Sequence, residues 1–188
     1  MGEIEEFEEA RQENPPRGMG VLRRRGLTPK LVVVGDGPLR AALEADAVRH
    51  GVAAQVEFRG ALPHEELLPL YRAAWMLVAP SRVLRNGRRD GIPNVIVESM
   101  AMGVPCVGTR VAGLEEAIAP GTTGALCEAG NPEALATAIA GLLADPAALD
   151  RMGEAAQRTA RERFDFDRNF ERMFDLLIGD APDVRKAA

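Results

Sequence analysis

Aromatic residues, cysteine and long apolar runs are scarce in this sequence, and each shortage excludes a class of protein. Aromatic residues make up 4% of the 188 residues, which argues against the stacked aromatic surface that binds single-stranded nucleic acid. The two cysteines, Cys106 and Cys127, cannot form a disulfide scaffold, so we expect buried thiols in a reducing cytoplasm. No apolar run reaches the roughly 18–20 residues of a membrane-spanning helix.

Positive charge and metal ligands are also in deficit. The formal net charge of −5 argues against a general nucleic-acid binder, which would normally be basic. No histidines and cysteines stand at the spacing of a metal site. Asp165 and Asp167 could hold a divalent ion, but they lie between two late helices, where Asp167 is typical of a helix N-cap. The sequence therefore predicts no metal site.

The order of apolar segments predicts an α/β fold. The run LVVVG is typical of a strand buried on both faces. Further strands are predicted at 56–58, 75–80, 104–109 and 124–128. Helical segments separate these strands, which favours a Rossmann-like parallel sheet covered by helices on both faces, with extra helices at the C-terminal end.

Composition divides the chain into three parts. Residues 1–30 combine an acidic run with prolines, glycines and three consecutive arginines, and we interpret them as a loose, poorly defined arm. Residues 31–179 form the predicted Rossmann-like domain, and residues 180–188 form a tail. In such a domain, ligands bind at the carboxyl ends of the strands, beside the helix N-termini.

The turn GDGP after the first strand allows two interpretations. Gly35 and Gly37 would let the backbone approach a ligand, and the next helix would offer free N–H groups to an anion. An ordinary strand-to-helix turn is the alternative. A dinucleotide site is disfavoured because GxGxxG is missing, and Phe58 and Arg59 stand where a ribose-binding acid belongs.

Two acids, Asp90 and Glu98, flank a second turn, GIPNV. A helix N-terminus beside an arginine-rich loop is suited to a diphosphate, although the arginines could equally be a solubilising surface. Glu98 lies in an apolar run, where a pair of ligand hydroxyls would satisfy its charge; a solvent-facing acid is the alternative. Asp90 by itself is also compatible with a simple Asp-Gly turn.

These pieces, in this order, resemble the group 1 glycosyl transferases, the retaining GT-B family with an E-x7-E signature. The resemblance runs from Leu31 to Leu177, and the signature matches Asp90 to Glu98. It is carried by LVVVGDGPLR, VEFRGALPHEELLPLYRAA, DGIPNVIVESMAMGVPCVGTRVAGLEEAI and GTTGALCEAGNPEALATAI. The DGIPNV form is similar to transferases of the exopolysaccharide and colanic-acid branch.

The resemblance implies a role for each part of the site. Glu98 would hold the ribose hydroxyls of a nucleotide-sugar, and Asp90 would contact the transferred sugar. The turn beside the diphosphate comprises Gly91, Ile92, Pro93, Asn94 and Val95, in which Pro93 has no N–H to give. The base would pack against the turn that contains Arg59, Gly60 and Leu62. Aspartate in place of the first glutamate departs from the signature and weakens the assignment of that contact.

The resemblance also implies what the whole enzyme does. It would transfer a sugar from a nucleotide-diphospho-sugar to a glycan or lipid-linked acceptor, without a cofactor or metal. The acceptor domain is expected before Met1, so this chain would be the donor-binding half and inactive alone. We expect the enzyme in the cytoplasm, or peripherally at the inner face of the membrane. A stand-alone, non-catalytic nucleotide-sugar-binding or assembly module is the alternative.

Overall fold

A computed structural model describes residues 15–81 and 91–178 of the protein. The α-helices are α1 Pro15–Arg24, α2 Arg40–Arg49, α3 His64–Ala73, α4 Asn94–Ala101, α5 Ala112–Ala117, α6 Pro132–Leu143, α7 Pro146–Arg163 and α8 Phe166–Ile178, with a 3-10 turn at Ala53–Gln55. The strands are β1 Leu31–Val34, β2 Val56–Gly60, β3 Leu77–Ala79, β4 Cys106–Thr109 and β5 Gly124–Cys127.

All strand pairs are parallel, and they form two separate ladders. Strand β1 pairs with β2, with Leu31 opposite Val56. The second ladder has the order β3-β4-β5, with Cys106 between Leu77 and Gly124. Within the described residues no ladder joins β1 to β3. The predicted fold class is confirmed, but the division into two ladders was not expected from the sequence.

Helices cover the second ladder on both faces. Successive side chains of a strand point to opposite faces, and the neighbours Cys106 and Val107 belong to different apolar clusters. The cluster around Val107 includes residues of α1 and α6, whereas the cluster around Cys106 includes residues of α4, α5 and α7. Both faces of β4 are therefore buried, as a doubly covered parallel sheet requires.

Helix α1 corrects the prediction of a loose N-terminal arm for residues 15–24, whereas residues 1–14 and the predicted tail at 180–188 lie outside the described residues. Within residues 1–30, Pro15–Arg24 is helical, and Met19, Val21 and Leu22 are buried against the α6 side of the first cluster. Gly18 lies close to Leu135 of α6, because a Cβ added at Gly18 would stand 3.1 Å from Leu135 Cδ2. The prediction failed because burial against α6 outweighs the weak helix propensity of glycine and proline.

The C-terminal helices begin with side-chain caps. Asn131 Oδ1 accepts a hydrogen bond from the Ala134 N–H at 3.0 Å, and Asp145 Oδ1 accepts one from the Ala148 N–H at 2.9 Å. In both helices proline follows the capping residue. Proline is favoured there because the first N–H of a helix has no partner within the helix.

Helix α8 carries an exposed apolar face, and its cap differs from the prediction. Asp165, not Asp167, accepts a hydrogen bond from the Arg168 N–H, at 2.9 Å. Asp167 lies within the first turn, where a carboxylate favours the helix dipole. Phe166 and Phe170 are exposed and stack with ring centroids 6.1 Å apart. None of the described helices has both the length and the apolar character of a membrane span.

Helix α7 packs closely on the turn that ends α4. A Cβ added at Gly153 would lie 2.3 Å from the carbonyl oxygen of Gly103. In α6, by contrast, a Cβ at Gly141 would meet nothing within 4 Å. The two glycines are therefore opposite cases, one required by packing and the other only a weak helix former.

We expect Gly153→Ala to lower the free energy of unfolding by about 1–3 kcal/mol, because the backbone of the turn must move to admit the methyl group. Gly141→Ala is the matched control and should raise the free energy of unfolding by roughly 0.5–1 kcal/mol. Urea denaturation measures both changes. Equal stability of Gly153→Ala and the wild type would contradict this close contact.

Candidate functional site

The turns after β1 and β2 are joined by backbone. The Gly35 N–H donates to the Gly60 carbonyl at 2.8 Å. Gly60 has a φ of +70°, and a Cβ there would lie 3.3 Å from Arg40 Nη1 and 3.5 Å from Asp36 Oδ2. Glycine is thus favoured at residue 60 both by backbone conformation and by the crowded side chains beside it. The structure therefore brings the predicted ligand turns, GDGP and the turn after β2, side by side.

Ion pairs surround these two turns. Arg40 donates to Asp36 at 3.0 Å and to Glu44 at 2.9 Å, and the hydrogen bonds with Glu44 and Asp36 raise the pKa of Arg40. Arg59 pairs with Glu57, whose pKa is lowered chiefly by its hydrogen bond with Lys30. The charge of Arg59 is therefore balanced within its own strand. These exposed ion pairs contribute little to the free energy of unfolding. They leave charged side chains of both signs beside the two turns.

The remaining residues predicted in these turns are accessible in part. Gly37 is half-buried, and its carbonyl accepts the Arg40 N–H at 3.0 Å. Leu62 is half-buried just beyond β2. Only Pro63 separates this apolar side chain from the start of α3. Both positions are compatible with ligand contact by backbone and apolar atoms.

The turn that begins α4 leaves helix N–H groups open. Pro93 precedes the helix with φ −65° and ψ 139°, and no side chain caps it. The Ile96 N–H donates to the Pro93 carbonyl at 3.0 Å. Within residues 15–81 and 91–178, no acceptor is found for the N–H groups of Asn94 and Val95. A helix end with free N–H groups attracts an anion.

Gly113 of α5 lies directly against the turn that begins α4. A Cβ added at Gly113 would lie 2.0 Å from the Gly91 carbonyl oxygen and 2.8 Å from the Ile92 nitrogen. No larger residue fits without moving the turn. The ends of β3 and β4 are tied together nearby, because buried Thr109 donates to the Ser81 carbonyl at 2.5 Å. Gly113 lies in one of the segments that carry the family resemblance, but sequence reasoning gave it no role.

Glu98 lies on α4, one turn beyond the open N–H groups. It is half-buried, and its Oε2 accepts a hydrogen bond from the Tyr71 hydroxyl at 3.1 Å. Burial, and then the negative charge of Glu98, raise the pKa of Tyr71 far above its ordinary value. The hydroxyl therefore remains protonated and donates to the carboxylate. Tyr71 was missed because these residues are 27 apart and no periodic pattern relates them.

The partner acid, Asp90, lies outside the described residues, as does the arginine-rich loop at 82–89. The structure therefore places Glu98 and the turn from Gly91 onward, and the position of Asp90 stays a prediction. In the described part of the chain, Arg110 supplies positive charge after β4 and lies 3.6 Å from both Glu115 and Glu128. Its exposed guanidinium is one described cation at the carboxyl edge of the sheet.

The other chemically capable groups are buried or dispersed. Cys106 and Cys127 are buried thiols, as predicted. Burial raises the pKa of Cys106 to about 11, although its hydrogen bond with Ser99 opposes the shift. It is therefore a poor nucleophile. Across the described residues, no three His, Cys, Asp or Glu side chains are grouped to hold a metal ion.

Comparison with curated proteins gives relatives that are longer than this chain. The chain is 34% identical over 164 residues to a GDP-mannose-dependent alpha-(1-6)-phosphatidylinositol monomannoside mannosyltransferase of Mycolicibacterium smegmatis. The match covers 87% of this chain and 43% of the mannosyltransferase. This chain therefore spans less than half the length of that relative.

Solved structures share the fold. HepE of Anabaena, in complex with UDP and glucose, superposes with a TM-score of 0.75 at 22% identity, over 91% of this chain and 46% of HepE. The C-terminal domain of a group 1 glycosyl transferase, LpcC of Francisella tularensis, gives 0.68 at 19% identity, over 81% of this chain and 77% of that domain. These likenesses identify the fold as the C-terminal, Rossmann-like domain of GT-B glycosyltransferases.

The family assignment follows from the sequence match. The family described as glycosyl transferases group 1 matches residues 19–145, which is most of the chain. The matched segment contains both joined turns, Tyr71, the start of α4 and Gly113. The chain therefore belongs to the group 1 family of glycosyl transferases.

Proposed function

We propose that this chain binds the nucleotide-diphospho-sugar donor of a retaining glycosyltransferase. One observation carries the proposal: a half-buried carboxylate, Glu98, stands one turn behind a helix end with open N–H groups at Asn94 and Val95. Four residues of α-helix rise about 6 Å. That separation suits a diphosphate at the helix end and a ribose beside Glu98.

The neighbouring turns supply the rest of the proposed donor site. The turn containing Arg59, Gly60 and Leu62 binds the base. The turn at Gly35 and Gly37, which is hydrogen-bonded to it, contacts the ligand through backbone atoms. Asp90 contacts the transferred sugar, on the other side of the diphosphate from Glu98. The assignment of Asp90 rests on its place in the signature, before the turn that begins α4.

The relatives support a nucleotide-sugar donor without fixing its base. One is a GDP-mannose-dependent mannosyltransferase that acts on a phosphatidylinositol mannoside, and HepE binds UDP and glucose. We therefore propose a donor of the nucleoside-diphosphate class and a glycan or lipid-linked acceptor. The DGIPNV form of the signature favours the exopolysaccharide and colanic-acid branch, and we place the whole enzyme in the cytoplasm or at the inner face of the membrane.

Charge stabilisation of the leaving diphosphate is the proposed source of catalysis. As the sugar departs with its configuration retained, negative charge grows on the diphosphate beside the start of α4. The open N–H groups at the start of α4 point positive dipole ends at that charge and stabilise it. The acceptor belongs to the remainder of the enzyme, which this chain does not span.

Removal of the negative charge at each acid should separate their roles. Glu98→Gln is expected to weaken the binding of UDP or GDP about tenfold to a hundredfold, because a hydrogen bond to a charged group contributes about 1.5–3 kcal/mol. Asp90→Asn should leave diphosphate affinity nearly unchanged and weaken only the binding of the full nucleotide-sugar. Calorimetry on folded variants measures both.

Glu162→Gln is the matched control for these variants, since Glu162 is an exposed acid on α7, away from the turns. It should change neither affinity. Equal effects of Glu98→Gln and Asp90→Asn on diphosphate and nucleotide-sugar would refute the division of roles. No effect of either would refute the donor site itself.

Donor binding should require no divalent metal. The proposed diphosphate contacts are N–H groups and arginines, and these need no bridging ion. We expect the affinities for UDP and GDP to change by less than about twofold on addition of EDTA, as measured by calorimetry in metal-free buffer. A large loss of affinity on chelation, restored by Mg²⁺ or Mn²⁺, would contradict this assignment.

The purified 188-residue chain should bind a donor without turning it over. The acceptor side of the enzyme is expected outside this chain, so neither transfer nor donor hydrolysis should approach the ordinary enzymatic range of about 1–10³ s⁻¹. Release of nucleoside diphosphate from UDP- or GDP-sugars is the measurement. Turnover within that range would show that this half is sufficient.

A further inference from the structure

Helix α3 has one buried side chain, while its leucines Leu67, Leu68 and Leu70 are half-buried. Tyr71 is its one buried residue, at 8% exposure. Pro69, inside the helix, has no N–H and so removes one backbone hydrogen bond from it. Tyr71 is thus the most buried side chain of a helix that proline weakens.

Tyr71 contacts Glu98 through a hydrogen bond to one of the two carboxylate oxygens. The Tyr71 hydroxyl donates to Glu98 Oε2 at 3.1 Å. Within residues 15–81 and 91–178, no hydrogen bond is found to the other carboxylate oxygen, Oε1. Burial keeps the pKa of Tyr71 high, so the hydroxyl stays a donor throughout the pH range of ordinary assays. One oxygen of Glu98 is engaged and the other is left available.

We propose that Tyr71 is a positioning residue for the donor site, which holds one oxygen of Glu98 so that the other meets the ribose hydroxyls. The inference rests on the proposed role of Glu98 as the ribose ligand. A glutamate has several rotatable bonds, and ordering it on binding opposes affinity. A hydroxyl that fixes the carboxylate in advance reduces this ordering and so strengthens ribose binding.

The position of α3 gives the contact a second consequence. The helix begins at His64, directly after the turn at Arg59 to Leu62 that is proposed to take the base. Glu98 lies on α4, beside the proposed diphosphate turn. Tyr71 therefore links the base side of the site to the ribose side, and it does so between segments that follow different ladders.

A purely structural explanation is that the ring of Tyr71 anchors α3 and the hydroxyl is incidental. The variant Tyr71→Phe separates these explanations, because it keeps the ring and removes the hydroxyl. The probes are UDP and GDP, each compared with its 2′,3′-dideoxy form by calorimetry. The dideoxy ligand lacks the groups that Glu98 is proposed to hold, so it reports any effect that does not pass through the ribose.

We expect Tyr71→Phe to weaken the ribonucleotide about threefold to tenfold and to change dideoxynucleotide affinity by less than about twofold. In a Glu98→Gln background, Tyr71→Phe should have no further effect. Thr159→Val is the matched control, because it removes a hydroxyl hydrogen bond of 2.9 Å within α7. It should leave both affinities unchanged.

The outcomes distinguish this inference from the proposed function. If Glu98→Gln abolishes the preference for ribose but Tyr71→Phe preserves it, the role of Tyr71 alone is wrong. Equal weakening of both ligands by Tyr71→Phe would show a structural role and overturn the inference. If Glu98→Gln leaves the ribose preference intact, or the wild type has none, the proposed function of Glu98 fails and the role of Tyr71 fails with it.

A measurement on the wild type covers the case in which Tyr71→Phe does not fold. Tyr71 is the single tyrosine of the chain, so tyrosine bands in the resonance Raman spectrum belong to it alone. We expect these bands to shift when the ribonucleotide binds, because the carboxylate that accepts from the hydroxyl gains new partners. A spectrum that responds equally to the dideoxynucleotide would overturn the proposal.

Discussion

The common direction of the strands is the constraint on which the site depends. Because every ladder pair is parallel, the strands of each ladder end at the same edge of that ladder, and the helices that follow them begin there. The Gly35–Gly60 hydrogen bond joins two of these ends, and the Thr109–Ser81 hydrogen bond joins two others. One antiparallel strand would have sent its turn to the opposite edge and left the site incomplete.

Local patterns were enough to predict the order of strands and helices and the turn at the start of α4. The apolar runs and their glycine or proline boundaries are signals contained within short segments. Helix α1 was not predictable in the same way, because Met19, Val21 and Leu22 gain their burial only when α6 is present. The cap of α8 shows a smaller limit, since Asp165 and Asp167 are both suitable residues and backbone geometry chose between them.

In the candidate site, too, the sequence revealed what depends on a local pattern and missed what depends on contacts between distant segments. Glu98 was singled out because an acid inside an apolar helical run needs a partner. Tyr71 and Gly113 act through contacts between segments distant in the chain, and neither stands out where it occurs. A glycine that admits a neighbouring backbone resembles any other glycine until both segments are placed.

The two separate ladders have a mechanical consequence. A backbone ladder resists sliding of its strands, but none is found between β1 and β3 in the described residues. There the first apolar cluster, with Val33 on one side and Val78 on the other, supplies the resistance. Apolar contacts are non-directional and tolerate small shear displacements better than a ladder does. The boundary between the two ladders is thus the part of the domain that shears most easily. A nucleotide bound across this boundary would resist that shear.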